Sequence, residues 1–413
     1  MTTEKNILFI TSRNVINTCG ELRLIKNRAI ALYNEYGIKT DFIVFSNKKR
    51  NNKENEKIEI NGTMTIFKYS INNIPGAINT FRLLRKHTID LLKENNYETI
   101  ILSGIFVLST AKYFKKHYPH LKIIADIHGA FEEFIEFKQR NFIENLINRL
   151  IYIYAIREQK RSYKYCDGAF VVSQALKKYV INRFNADNLH FIVVPCSTSQ
   201  HINTLSNALA MREKWRNELG INDHELLFIY SGGISVWQSI DDANNVFKML
   251  REKMPKMEMH FLIMSFDVKN LQYLTSKNTT IRSFSPNEVQ NVLYAGDYAF
   301  LLRGNHITNN VAFPNKFFEY VLSGMQIICT PFVHDIEFYV RTYNLGITIE
   351  SINSKELDKI VSNIETPSIL QQDWFSRSQL VNELCFENTL KPFVSFIINN
   401  EKINAPAVEH KIM

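Results

Sequence analysis

The chain has 413 residues, more than one hydrophobic core usually supports, so two domains are expected. Hydrophobic residues make up 45% and charged residues 22%, ordinary values for a globular protein that exclude general disorder and a membrane-embedded chain. A formal net charge of +8 suits an anionic partner (nucleic acid, phosphorylated substrate or acidic membrane face) or equally reflects a composition rich in Lys, Asn and Ile.

In chain order, NILFITS is a short apolar run between polar residues, the signature of a buried strand. GELRLIKNRAIALYNEYG follows, with Leu22, Ile25, Ala29, Leu32 and Tyr33 at helical spacing and a stop at Gly37. The strand TDFIVF comes next, completing a unit of the length a parallel crossover needs. Residues 47–57, NKKRNNKENEK, have no periodicity and read as a solvated loop. IEINGTMTIFKY alternates on both sides of Asn61-Gly62, a hairpin signal. Alternation then continues through a helix at 77–95, TIILS, a helix at 105–118, KIIAD, a long amphipathic stretch at 131–164, GAFVVS, a helix at 174–184 and FIVVP.

The pattern fails over 197–222, polar and loosely helical, which places a domain boundary near residue 200. It restarts with LLFIYS, a helix at 239–252, MHFLIM, TTIRSF, a helix at 286–296, YAFLL, a helix at 314–324, QIICT, a helix at 334–343 and GITIE. The fold class expected is α/β, two Rossmann-like doubly wound domains facing a central cleft, over 1–200 and 201–385. A C-terminal helix and tail over 386–413 either caps the second domain or crosses back to the first.

No apolar run approaches the ~20 residues of a spanning helix, and the apolar run near the N-terminus is too short for a secretory signal, so a cytoplasmic chain is expected. Cys19, Cys166, Cys196, Cys329 and Cys385 are scattered, with no C-x-x-C pair; they read as reduced, mostly buried thiols. No metal site is expected, and Asp241-Asp242 are first-turn residues of a helix. The glycine fingerprints of dinucleotide and P-loop sites are missing.

One helix carries unexplained charge. YAFLLRGNHITNNVAFPNKFFEYVLSG runs strand, loop, helix, with Pro314 suited to the first helical position and Gly324 to the residue past the end. Lys316 and Glu319, three apart, share a face. A helix N-terminus with Lys316 in its first turn suits a phosphate, and Arg303, after the preceding strand, is placed to clamp a diphosphate. Glu319 lies about five residues from the helix start, roughly 7.5 Å along the axis, the offset from a diphosphate to a ribose. The alternative is an internal ion pair with only structural value.

These residues resemble the donor-nucleotide motif of glycosyltransferase family 4 and related enzymes of the GT-B fold. The resemblance implies that Glu319 binds the ribose of a sugar nucleotide. YSGGISVWQSIDDANNVFKML resembles the family's first strand-turn-helix of the nucleotide domain, where Gly232 and Gly233 let backbone approach phosphate. Two departures stand out: Ile234 to Gln238 supply no Arg or Lys after the glycines, and Val311 occupies the place of the first glutamate of the family's E-x7-E motif.

In the first domain, ADIHGAFEEF puts Asp126, His128 and Gly129 at a strand end and resembles the family segment whose histidine lies near the transferred sugar. TCGELRL resembles the glycine loop where Gly20 would admit donor and acceptor, or is an ordinary turn. Ser173 reads as a helix N-cap. The stretch FIEFKQRNFIENLINRLIYIYAIREQKRSYKY mixes aromatic, apolar and basic residues; it lies on an acidic membrane surface, meets a lipid-linked acceptor, or packs its apolar face on the sheet.

The resemblance implies a metal-independent, retaining hexosyltransferase without a cofactor, moving sugar from a nucleoside-diphosphate donor to a saccharide or lipid-linked acceptor in bacterial surface polysaccharide or glycoconjugate assembly. Arg303 and Lys316 would neutralise the leaving group and His128 would orient the sugar. A sugar-nucleotide epimerase of the same fold and a non-catalytic partner subunit are the alternatives. Nucleic-acid binding has only the net charge behind it and is not expected.

Overall fold

The computed structural model describes residues 6–11, 20–47, 56–60, 62–71, 77–137, 141–199, 202–364 and 374–399. Their contacts divide the chain into two units. The first takes residues 1–135, 139–199 and 385–413; the second takes 136–138 and 200–384.

The first unit is built on an eight-stranded sheet of β1 (Asn6–Thr11), β2 (Lys39–Asn47), β3 (Glu56–Ile60), β4 (Met64–Ile71), β5 (Tyr97–Ser103), β6 (Lys122–Ile127), β7 (Gly168–Val171) and β8 (His190–Val193). Its order is β3-β4-β2-β1-β5-β6-β7-β8, parallel except for the antiparallel edge strand β3. The β3–β4 hairpin pairs Ile60 with Met64 around Gly62, while Asn61 and residues 48–55 of the expected loop lie outside the described residues. Apolar side chains fill both faces of the central strands, as a sheet covered by crossover helices requires.

The second unit holds a fully parallel sheet of β9 (Leu226–Ser231), β10 (Met259–Met264), β11 (Thr279–Arg282), β12 (Tyr298–Leu301), β13 (Gln326–Cys329) and β14 (Gly346–Thr348), in the order β11-β10-β9-β12-β13-β14. Every residue of β9 and β12 is buried. Phe228 stacks on Tyr298 and Phe300 with ring centroids 5.2 and 5.6 Å apart, so the aromatic residues of neighbouring strands make one layer of core.

Three expected helices differ from the structure. The helix at 105–118 is broken into Ile105–Leu108 and Ala111–His117. At the break, Ser109 Oγ and Thr110 Oγ1 donate to the carbonyls of Phe106 and Val107, competing with the helical ladder. The stretch at 131–164 becomes Glu133–Glu136 and Phe142–Ser162, the latter restarted by Asn141, whose side chain accepts from Ile143 N. Within the loosely helical 197–222 lies a regular helix, Leu205–Leu219, capped by Thr204 and closed at Gly220. That helix is fixed by Arg212 and Arg216, which converge on buried Asp297. Asp297 Oδ2 also accepts from Leu227 N at 2.7 Å, binding helix and sheet into one network.

The helix Trp374–Leu384 belongs to the second unit, where Trp374 Nε1 donates to Asn203 O. From Cys385 onward the chain is part of the first unit. Tyr36 Oη donates to Glu387 O, Phe170 meets Phe393 at 4.7 Å, and Lys122 Nζ donates to Phe396 O near the end of the helix Lys391–Asn399. Cys166, Cys329 and Cys385 are buried free thiols, and Cys196 is half-buried; Cys19 lies outside the described residues.

Candidate active site

In the second sheet the chain leaves β9 toward β10 on one side and returns as β12 on the other. The carboxyl ends of β9 and β12 therefore border the switch point where an open parallel sheet forms its crevice. Gly232 and Gly233 follow β9, Arg303 follows β12 by two residues, and Lys316 lies in the helix Asn315–Leu322 after that. The sequence expectations for this half thus fall at one end of one sheet.

Lys316 is buried, and its Nζ donates to Gln238 Oε1 at 3.2 Å and sits 4.1 Å from the centre of the Tyr230 ring. Arg303 is buried too; its guanidinium donates to Trp237 O at 2.7 Å, while its backbone is held on both sides by Thr330 Oγ1. Neither cation has an ion-pairing carboxylate among the described residues. Lys316 and Glu319 share a face but do not form the internal ion pair that was the alternative reading. Burial, then the charge of Arg303, lowers the Lys316 pKa well below the lysine range, against the pull of Glu319. Burial likewise lowers that of Arg303.

Isolated buried cations are costly unless an anion meets them. Among the described residues, their direct contacts include a carbonyl, an amide oxygen and an aromatic face, which hold the cations in place without neutralising them. The set is completed by Tyr320, whose hydroxyl accepts from Ser231 N at 3.0 Å and ties the helix to the end of β9. The Tyr230 hydroxyl lies 2.7 Å from Gly233 O and 2.9 Å from Gln238 Oε1, bracing the turn after β9.

Gly232 has φ 147, and a Cβ there would stand 2.8 Å from both Lys316 Nζ and Gln238 Oε1. Only glycine fits that conformation and that approach. Gly233 is less demanding, since the nearest atom to an added Cβ is 3.6 Å away. Pro314 differs from expectation: it is the N-cap, with ψ 131, and Asn315 begins the helix. Its carbonyl accepts from Phe317 N, so the extended proline still closes the first turn. Gly324, φ 78, follows the C-cap Ser323 as expected. Glu319 is half-buried, and Gln290 Nε2 donates to its carbonyl.

Between β12 and the Asn315–Leu322 helix, Val311 is buried at the end of the short helix Ile307–Asn310. The carboxylate of Glu136, carried by the 136–138 segment of this unit, accepts from Ile307 N, Thr308 N and Thr308 Oγ1 at 2.6, 3.0 and 2.6 Å. Phe137 lies beside it, 4.8 Å from the His306 ring and 5.7 Å from Trp237. The carbonyl of that same Trp237 receives Arg303, so this segment braces the loop beside the cations.

The first unit holds the other expected residues. Gly20 is the first residue of the helix Gly20–Tyr36; residues 12–19 before it lie outside the described residues. Asp126 lies within β6, not after it, and His128 follows the strand. His128 Nε2 is 2.5 Å from Asp126 Oδ2, and Arg28 donates to Asp126 Oδ1 at 2.8 Å and to Val194 O at 3.2 Å. Burial opposes ionisation of Asp126, but His128 and Arg28 outweigh it and hold the carboxyl below the usual range. Ser173 is the N-cap of the helix Gln174–Phe184, accepting from Leu176 N.

Sequence reasoning missed Arg28, Gln238, Trp237 and Glu136. Arg28 had a signal, a cation inside the apolar row Leu24, Ile25, Ala29, Leu32. Gln238 had none, because an uncharged side chain in a polar turn is ordinary.

No protein-family model and no curated protein matches the sequence. Solved structures do match nearly the whole chain. A sucrose-phosphate synthase from Thermosynechococcus elongatus has TM-score 0.71 at 11% identity, covering 96% of this chain and 100% of that one. An alpha,alpha-trehalose-phosphate synthase (UDP-forming) from Burkholderia vietnamiensis has TM-score 0.65 at 10% identity, covering 98% and 99%. WaaG, a glycosyltransferase involved in lipopolysaccharide biosynthesis, has TM-score 0.58 at 12% identity, covering 95% and 98%. With two parallel-sheet α/β units and this likeness over almost its full length, the chain has the fold of the GT-B glycosyltransferases.

Proposed function

We propose that the chain is a glycosyltransferase of the family 4 type, moving a sugar from a nucleoside-diphosphate donor to a saccharide or lipid-linked acceptor. The observation that carries this reading is the pair Arg303 and Lys316: two buried cations with no salt-bridging carboxylate among the described residues, at the switch point of a parallel sheet. The diphosphate of the donor supplies the missing anion. Glu319, one turn further along the same helix, accepts the ribose hydroxyls, and Gly232 and Gly233 let the backbone approach the phosphates. Pro314 precedes, as N-cap, the helix whose first N-H groups would meet the same anion.

Chemically, the site must stabilise the diphosphate as its bond to the sugar breaks. Fixed cations in a dry surrounding do this without reorganisation at the moment of reaction. With two protein cations on the leaving group, transfer needs no metal ion in this proposal, and a chelator leaves turnover unchanged. In the same proposal His128, held by Asp126, is assigned to orienting the transferred sugar and Gly20 to admitting donor and acceptor. Retention at the anomeric carbon, a hexose as the sugar, a role in surface polysaccharide assembly and peripheral membrane contact belong to the same proposal.

The testing experiment is a thermal-shift screen against UDP-, GDP-, CDP- and ADP-sugars, since a ligand that binds the native state raises the melting temperature. One donor is expected to raise it, and Arg303→Ala with Lys316→Ala to abolish the shift. A shift that survives both substitutions places the nucleotide elsewhere. Product analysis then separates transfer from epimerisation and from a non-catalytic subunit.

A further inference from the structure

The first unit carries a recess of about 330 Å³ lined by Arg82, Arg85, Lys86, Ile89, Asp90 and Tyr113. Two helices form it, one entering β5 and one following it: Ala77–Glu94 and Ala111–His117. On the first of these Leu84, Thr88 and Leu91 are buried and mark the side that faces the core. Arg82, Arg85, Lys86 and Ile89, at spacings of three and four, share the opposite side.

Three cations within five residues repel one another, and carboxylates placed among them usually relieve this. Here they do not. Among the described residues of this unit the ion pairs use Arg28, Lys57, Lys115, His128 and Arg161, and none of the three cations of the recess. Arg85 instead lies over the Tyr113 ring, its guanidinium carbon 5.0 Å from the ring centre, and the His117 ring stacks on the same tyrosine at 4.2 Å. Tyr113 is half-buried, whereas Arg82 and Lys86 are exposed, so the recess is open to a ligand from solvent. It thus joins a cluster of positive charge, an apolar wall of Ile89 and Tyr113, and a single carboxylate, Asp90.

We propose that this recess binds a small phosphate monoester with a hydroxylated body, in class a sugar phosphate. The phosphate dianion answers Arg82, Arg85 and Lys86, and the guanidinium groups offer paired donors to its oxygens. Hydroxyls of the sugar donate to Asp90, and its C-H face covers Ile89 and Tyr113. An inorganic anion would meet the same cations but leave Asp90 opposed to it. The volume is at the small end for ligand pockets, which suits a monosaccharide and not a nucleotide sugar. This site is additional to the diphosphate site of the second unit and does not rest on the glycosyltransferase reading.

Isothermal titration calorimetry tests it in the full chain carrying Arg303→Ala and Lys316→Ala, which takes the proposed diphosphate site out of the measurement. The probes are glucose 6-phosphate, inorganic phosphate and glucose. Glucose 6-phosphate is expected to bind, phosphate to bind about tenfold more weakly, and glucose not to bind. Arg82→Glu with Lys86→Glu is expected to abolish binding at an unchanged melting temperature, because both side chains are exposed. Asp90→Ala is expected to tighten phosphate and to erase the preference for glucose 6-phosphate over it. The wild type, with and without the two charge reversals, is titrated in parallel, so the comparison survives a loss of fold in the first background. Binding of neither anion, binding kept after both charge reversals, glucose bound as tightly as glucose 6-phosphate, or a preference that persists in Asp90→Ala overturns the proposal. None of these results alters nucleotide binding at Arg303 and Lys316, so the two sites fail separately.

Discussion

Lys316 Nζ donates to Gln238 Oε1 at 3.2 Å, an uncharged acceptor, although Glu319 lies one helical turn away. A cation placed so, buried and hydrogen-bonded to a neutral partner, is expected to cost stability in the free protein, a cost that the proposed diphosphate would offset. Lys316→Met is therefore expected to raise the melting temperature, by the equivalent of about 0.5–2 kcal/mol, while nucleotide binding is lost. Scanning calorimetry and a nucleotide titration on the same variant check both halves. A variant that is less stable and still binds contradicts the assignment.

The depressed Lys316 pKa sets the sign of a pH effect. A bound diphosphate raises that pKa again, so binding takes up a proton above the free protein's value. Nucleotide affinity is expected to fall as pH rises, and calorimetry in buffers of different ionisation enthalpy should show proton uptake on binding. For folding the sign is opposite. The cost of burying the protonated amine is full below the folded-state pKa and disappears as pH rises toward the unfolded value, so the stabilising effect of Lys316→Met shrinks at high pH.

Gly232→Ala forces a Cβ to φ 147 and against Lys316 Nζ. The backbone strain alone is expected to cost about 1–3 kcal/mol. If Lys316 holds the donor as proposed, its displacement is expected to weaken nucleotide binding as well. Gly233→Ala, with no atom closer than 3.6 Å to the added carbon, should be much milder in both denaturant unfolding and nucleotide titration. Equal effects at the two positions would mean that the close approach at Gly232 does not shape the site.

Asp126 binds Arg28 and His128 together in the first unit. Asp126→Asn leaves the buried Arg28 guanidinium without its ion pair, and a loss of about 3–5 kcal/mol in chemical unfolding is expected. Because the folded-state pKa of Asp126 is depressed, its stabilisation is present above the unfolded carboxylate value and is lost as pH falls through the folded one. Acid unfolding of the variant should accordingly begin from a flatter pH profile than that of the wild type.

Glu136→Ala removes one acceptor of three hydrogen bonds on Ile307 and Thr308. A loss of about 1–3 kcal/mol is expected, with Glu136→Gln recovering part of it. Because Phe137 packs on Trp237, whose carbonyl holds Arg303, nucleotide affinity should fall together with local protection from hydrogen exchange at 304–308. Unchanged affinity with lost protection would separate the brace from the site.

Much of this was legible in the sequence because buried parallel strands are short apolar runs, as in Leu226–Ser231 and Tyr298–Leu301, and because Gly37, Gly220 and Gly324 punctuate the helices they end. The breaks at Ser109-Thr110 and before Asn141 were hidden, since side chains that bond to their own backbone leave hydrophobic spacing intact. Lys316, Arg303 and Glu319 stood out as charges in apolar surroundings. Gln238 and Glu136 did not, because their roles depend on contacts from 78 and about 170 positions away. The outward turn of Phe142 and Leu146, both exposed on the helix Phe142–Ser162, was equally hidden, for periodicity shows that a helix has an apolar side but not which way it faces.

The most direct measurement is calorimetric titration of UDP, GDP, CDP and ADP into the wild type, Glu319→Ala and Arg303→Ala. One nucleotide should bind the wild type, and each substitution should weaken it by about 1.5–3 kcal/mol, the scale of hydrogen bonds to charged groups, with the fold intact by circular dichroism. Binding of none of the four, or affinity unchanged in both variants, would contradict a diphosphate site at Arg303 and Lys316.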